Sequence, residues 1–171
     1  MNGSGASRTK SSRAFGKRTP ASRQASVSRA TKSTGVVRFV DTNVLLYAIS
    51  SAHAERAKAA RAAALLDETD LALSVQVLQE FYVQATRAGA TAALSHESAV
   101  AFISTLMRFP VQETTLGLLR AAFATRERWQ ISYWDAAIVE AARMAGCDTI
   151  CTEDLQHGQD FGGVRIVNPF V

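Results

Sequence analysis

The chain reads as an α/β fold built on a largely parallel sheet with helices on both faces. Three observations predict it. Short β-branched or apolar stretches alternate with helical patterns from Val36 onward. Strands separated by helices can only return in parallel through crossovers, which cover the sheet. Of the 171 residues, 47% are hydrophobic, which is enough for one core and suggests one domain with a tail.

The elements follow in order. "VVRFV" (36–40) is a strand, and the apolar run after Asp41-Thr42-Asn43 is a helix. "AERAKAARAAALLDE" is an alanine-rich helix whose small-residue face either accepts a partner helix or packs closely inside the fold. "LALSV" is a second strand. "VQVLQEFYVQATR" places Val75, Leu78, Phe81, Tyr82 and Ala85 on one helical face, with Gly89 beyond its end. "HESAVAFISTLMRF" is a helix stopped by Pro110, and "ETTLGLLRAAFATRERW" has Leu116, Leu119, Ala122 and Phe123 at helical spacing. "YWDAAIVEAARMAG" is a helix closed by Gly146. "DTICT" and "VRIV" are late strands, with Gly162 and Gly163 in a turn before the last. There is no internal repeat, phosphate-binding loop or glycine-rich dinucleotide signature, which removes the commonest nucleotide-binding readings.

The net charge of +4 hides two unlike parts. Nine of the 19 basic residues (Arg8, Lys10, Arg13, Lys17, Arg18, Arg23, Arg29, Lys32 and Arg38) precede residue 39, with no acid among them. The rest carries ten basic and 15 acidic residues, a net of −5. A pI near 9.4 therefore describes the leader and not the body. Residues 1–35, rich in Ser, Arg and Gly, have too little apolar surface to offset ordering and are expected to be a disordered basic tail. A phosphate-binding arm, an inert leader with a later true start, and an organellar transit peptide are the open readings. The domain proper is expected over residues 36–171. No apolar run is long enough for a membrane helix, so a cytoplasmic protein with no membrane partner is expected. Cys147 and Cys151 fit neither a same-strand disulfide nor structural zinc spacing, and are expected to be buried free thiols.

Four acids come from four separate segments. Asp41 follows the first strand, and Asp154 follows "DTICT" after one intervening residue, Glu153. If these strands are parallel, both carboxylates leave the same sheet edge, where ligands bind in open α/β sheets. Asp135 starts the helix "YWDAAIVEAARMAG", and Glu80 lies one turn beyond Gln76. Each has a plain structural role as well: helix cap for Asp41, capping box for Ser132–Asp135, turn for Asp154, solvated helix position for Glu80. Together they would repel unless a cation joined them, and an oxygen-only set favours Mg2+ or Mn2+. Such a site binds a phosphodiester only through metal, which reconciles an acidic body with nucleic-acid chemistry.

The stretches "VDTNVLLYA", "VLQEFY", "SYWDAAIVEAA" and "TEDLQHG" resemble PIN domains, and most closely the VapC-type ribonuclease toxins of prokaryotic toxin–antitoxin pairs. The resemblance covers roughly residues 36–171. It implies a three-layer α/β/α sandwich around a mostly parallel sheet and a Mg2+- or Mn2+-dependent endoribonuclease. Metal-activated water would cleave the RNA phosphodiester. By the same resemblance Asp41, Glu80, Asp135 and Asp154 match the catalytic acids, with Asp41, Asp135 and Asp154 as metal ligands. Asn43 and Thr152 match supporting residues, and Glu153 stands second to Asp154. A homodimer and a small inhibiting antitoxin are implied as partners. The basic leader departs from the family, whose toxins begin close to the first strand.

Two other readings bear on the same residues. A catalytically silent PIN-like module that binds RNA or protein would usually lack one of the acids, and all four are present. A phosphatase with an aspartyl nucleophile wants a second Asp two positions after the first, where this chain has Asn43. No histidine is assigned a catalytic role. Trp129, Trp134 and Tyr82 are read as core or dimer contacts, and Arg87, Arg126, Arg128 and Arg143 as solvated helix positions.

Overall fold

The structure is a computed structural model that describes residues 37–89 and 93–171, so the expected disorder of residues 1–35 lies outside the described residues. Five strands, β1 (Arg38–Val40), β2 (Leu71–Ser74), β3 (Val111–Gln112), β4 (Thr149–Cys151) and β5 (Arg165–Val167), form one sheet. Its order is β3-β2-β1-β4-β5 and every pairing is parallel. Between the strands run α1 (Thr42–Ala48), α2 (Arg56–Leu66), α3 (Val75–Ala85), α4 (His96–Leu106), α5 (Leu116–Trp129) and α6 (Tyr133–Met144).

The central strand β1 is covered on both faces: Phe39 and Val40 are fully buried, as are Ala72 and Leu73 on β2, Ile150 on β4 and Ile166 on β5. Alternating exposure is therefore absent, as expected for a parallel sheet between two helical layers. The chain first winds outward from β1 through β2 to β3, then returns to the other side of β1 at β4. At that reversal the connections from β1 and β4 run toward opposite edges of the sheet, the arrangement that places a crevice at the carboxyl ends of parallel strands. Register is tight there: Val40 pairs with Cys151, and the Asp41 N–H donates to the Cys151 carbonyl at 3.1 Å.

Two sequence expectations are corrected. On α5 the buried side is Leu118, Ala122 and Thr125, while Leu116 (72% exposed) and Phe123 (55% exposed) face outward. The buried positions are also at helical spacing, so apolar periodicity alone admitted two faces. On α3 the stripe Val77, Leu78, Phe81 and Ala85 is buried together with Gln76, and Val75 and Tyr82 are half-buried. Strand β3 has no counterpart in the sequence reading. It is two residues long, and Pro110 before it contributes only its carbonyl, which accepts from the Leu73 N–H at 2.9 Å.

Local punctuation agrees with the reading elsewhere. Gly146 stands just past α6 at φ +76°, the left-handed conformation that closes a helix most easily without a Cβ. Asp160 Oδ1 accepts from the N–H groups of Gly162 and Gly163 at 2.7 and 2.8 Å and fixes the turn before β5. Cys147 and Cys151 are buried free thiols, pushed up to about 12 and about 11 by burial. Among the described residues no helix is long and apolar enough to cross a membrane.

Candidate active site

Asp41 stands at the mouth of the crevice, 5% exposed. It is the N-cap of α1: its backbone is extended, and Oδ1 accepts from the Thr42 N–H at 2.6 Å. Oδ2 does something else. It accepts from the Thr152 hydroxyl at 2.6 Å and from Asn43 Nδ2 at 3.2 Å. Burial pushes the Asp41 carboxyl up to about 6, against those hydrogen bonds, and the carboxylates of Asp154 and Glu80 add to the rise. Capping a helix and facing a cluster of acids are thus roles of one side chain.

The other three acids are each held by a short polar contact. Glu80, on α3, accepts from the Thr42 hydroxyl at 3.1 Å and from Gln76 Nε2, one turn before it, at 2.9 Å. Asp135 lies in the first turn of α6, where Ser132 Oγ accepts from its N–H at 3.1 Å and donates to its Oδ2 at 2.7 Å. Asp154 follows β4. Its N–H donates to Thr152 Oγ1 and its Oδ2 accepts from Asn43 Nδ2, each at 3.1 Å. Asp41, Glu80, Asp135 and Asp154 line one cavity of about 530 Å3, with Asn43 and Trp134 also in its wall.

Asn43 is the hub of this arrangement. Its Nδ2 reaches Asp41, Asp154 and Thr152 Oγ1, the last at 2.8 Å, so two N–H groups serve three oxygens. The reverse orientation would aim the amide oxygen at carboxylates, so this one is favoured even though it leaves Oδ1 buried without a partner among the described residues. Thr152 lies behind the cavity, buried, and links Asp41 to the Asp154 backbone.

Glu153 goes elsewhere. Its carboxylate accepts from the Tyr47 hydroxyl and pairs with Lys58, whose Nζ lies 4.5 Å from the Tyr47 ring centroid. Burial alone would raise Glu153, but Lys58 and Tyr47 outweigh it and hold the carboxyl below its ordinary value. Of the adjacent acids, Asp154 lines the cavity and Glu153 tethers the loop to α1 and α2. Thr42, Gln76, Gln84 and Trp134 were not assigned to the site from sequence. Gln76 carried a signal, four residues before Glu80 on the same helix.

The donor chemistry suits a hard divalent cation: every acid in the cavity offers oxygen, and the mutual repulsion felt by Asp41 is what a cation would relieve. Among the described residues no three His, Cys, Asp or Glu side chains gather closely enough to hold an ion by themselves. A hard cation that keeps several of its waters needs only one or two direct carboxylates.

The PIN domain family model matches residues 38–159, a span that contains all four acids. Solved structures agree in fold. The Mycobacterium tuberculosis toxin VapC20, which cleaves the sarcin–ricin loop, is 21% identical over 68% of this chain and 91% of its own, with a TM-score of 0.55. A toxin–antitoxin complex from Klebsiella pneumoniae is 19% identical over 78% of this chain and 98% of its own, with a TM-score of 0.57. DNA-bound VapBC from Salmonella typhimurium is 18% identical over 77% and 97%, with a TM-score of 0.54. No curated protein matches the chain. The family model spans most of the chain, from the first strand through the loop that carries Asp154, and the chain belongs to the PIN domain family.

Proposed function

We propose that the chain is a metal-dependent endoribonuclease acting as the toxin of a toxin–antitoxin pair. One observation carries the reading: four carboxylates from four separate segments line a single cavity at the crevice where the strand order reverses. The proposed nuclease domain spans residues 36–171, with residues 1–35 as a separate tail. Membership of the PIN family and the fold shared with VapC20 and the toxin–antitoxin complexes support it.

Asp41, Asp135 and Asp154 would hold Mg2+ or Mn2+, one or two of them directly and the rest through its bound waters. When bound, the cation supplies positive charge opposite the phosphodiester and makes water a stronger nucleophile at neutral pH. Glu80, aimed by Thr42 and Gln76, orients the attacking water and accepts its proton. Asn43 and Thr152 keep Asp41 and Asp154 side by side despite their like charge. Attack by water on phosphorus breaks the bond to the 3′ oxygen and leaves a 5′-phosphate and a 3′-hydroxyl, with no need of the 2′-hydroxyl as nucleophile. A homodimer and a small antitoxin are the proposed partners, in the cytoplasm.

Structured RNAs incubated with the purified chain in Mg2+ or Mn2+ test this. Cleavage should disappear with EDTA and in Asp135→Asn. Cleavage that persists in either control rules the assignment out, and failure to cleave any RNA in either metal leaves a binding module.

A further inference from the structure

Trp134 precedes Asp135 on the first turn of α6, and 60% of its surface is exposed. It is therefore no core residue. Its ring meets Tyr133 edge-on, with centroids 5.2 Å apart at 69°, and Tyr133 in turn leans on Phe123 at 5.6 Å. The indole lines the acid cavity and also a neighbouring cavity of about 250 Å3, bounded by Gln76, Gln79, Glu80, Val83 and Gln84. The exposed walls of that second space are almost wholly apolar despite its polar residue types. Gln84 lines a third cavity as well, together with Arg87. The acid cavity and the second share Glu80, Gln84 and Trp134 in their walls, and Gln84 is common to all three.

We propose that Trp134 is the stacking platform for an unpaired nucleobase next to the phosphodiester held in the acid cavity. The inference rests on the nuclease reading above and adds to it the side chain that would hold a base beside the scissile phosphate. A flat, open aromatic accepts the face of any base, but only when that base has left its own helix. The carboxamides of Gln79 and Gln84 offer a donor and an acceptor each to a base edge. Arg87, in the cavity that shares Gln84 with the acid cavity, offers the positive charge that a flanking phosphate needs beside four acids. Trp134 and Asp135 are consecutive on one helical turn capped by Ser132, so base and scissile phosphate would be registered by a single rigid element.

The test uses the full chain carrying Asp135→Asn, titrated with an oligoadenylate of about ten nucleotides and with the same strand paired to oligouridylate. The single strand should quench tryptophan fluorescence and the duplex should not. Trp134→Ala should abolish the quenching and weaken binding on the order of 10-fold. Trp134→Phe should retain most affinity, whereas Trp134→Leu, of similar apolar bulk without a π face, should behave like Ala. Equal affinity in Leu and Phe, equal quenching by duplex, or no binding of oligoadenylate by the parent overturns the proposal. So does a change of oligomeric state in Trp134→Leu by light scattering, which would mean that a second copy covers the ring. RNA cleavage by the wild-type chain is scored separately: cleavage that Trp134→Ala leaves unchanged in KM removes this inference alone, and absence of cleavage removes both.

Discussion

The Thr152 hydroxyl donates to Oδ2 of Asp41 at 2.6 Å, across the ends of the two strands where the sheet reverses its order. Parallel pairing of Val40 with Cys151 places the two residues side by side. The contact therefore follows from register and needs no loop to be ordered first. Because the acceptor is a buried carboxylate, the bond is worth more than a neutral one, about 1.5–3 kcal/mol. Thr152→Val should lower unfolding free energy by about that amount at pH 7–8 in urea titrations, and Thr152→Ser should recover most of it. Equal stability of Val and Ser variants would mean that the hydroxyl holds nothing.

The raised Asp41 carboxyl makes stability depend on pH in a definite direction. Folded Asp41 titrates at about 6, against about 4 for an unfolded aspartate. Between those values the native state holds the proton and the unfolded state does not, so stability falls as pH rises through that window and levels off above it. The full effect is on the order of 3 kcal/mol, at about 1.4 kcal/mol per tenfold difference in proton affinity. Asp41→Asn should lack this slope, so the difference between the wild-type and variant stability curves should carry it. A difference curve flat from pH 4 to 7 would show that Asp41 is not so shifted.

Glu153 and Asp154 are neighbours with opposite surroundings, so their variants should separate. Asp154→Asn should abolish cleavage with little change in folding. Glu153→Gln breaks the pair with Lys58 at a half-exposed site, where such pairs contribute at most about 1 kcal/mol, and should keep much more activity. Lys58→Met should reproduce the Glu153→Gln effect. If Glu153→Gln is as inactive as Asp154→Asn, the two acids are not divided as their contacts suggest. Cleavage rate and melting temperature measured on the same preparations decide it.

These distinctions mark where the sequence stopped being legible. The alternation of apolar stretches located β1, β2, β4, β5 and every helix, because each buries enough surface to leave a pattern. Strand β3, two residues after a proline, leaves none. Taken singly the four acids look like a cap, a capping box, a turn residue and a solvated helix position; their order and flanks, through the resemblance to PIN domains, single them out. Their holders did not: Thr42 looks like any residue after a cap, and Gln76 like any helix surface position until its burial is seen. Glu153 could not be told from Asp154, since the difference lies with Lys58, 95 residues away in sequence. The apolar character of Trp134 does not say which way its helix faces, and its exposure sets aside only the core half of the reading as core or dimer contact.

Divalent cations should stabilise the fold before any substrate is present. Asp41, Asp154 and Glu80 repel one another in the native state and are dispersed in the unfolded chain, so a cation among them binds the native state selectively. Mg2+ or Mn2+ at 100 times its dissociation constant would add about 2.7 kcal/mol. Thermal melts at pH 7.5 should therefore shift upward with Mn2+, and the shift should fall away below pH 6 as Asp41 takes up its proton. Asp41→Asn combined with Asp154→Asn should melt higher than wild type in EDTA, because the repulsion is gone, and should gain nothing from Mn2+. The crossing of these two curves separates a metal site from nonspecific screening, since NaCl at matched ionic strength would relieve repulsion in wild type without the same loss below pH 6. A melt indifferent to Mn2+ up to millimolar concentrations would mean that the cavity holds no cation without RNA.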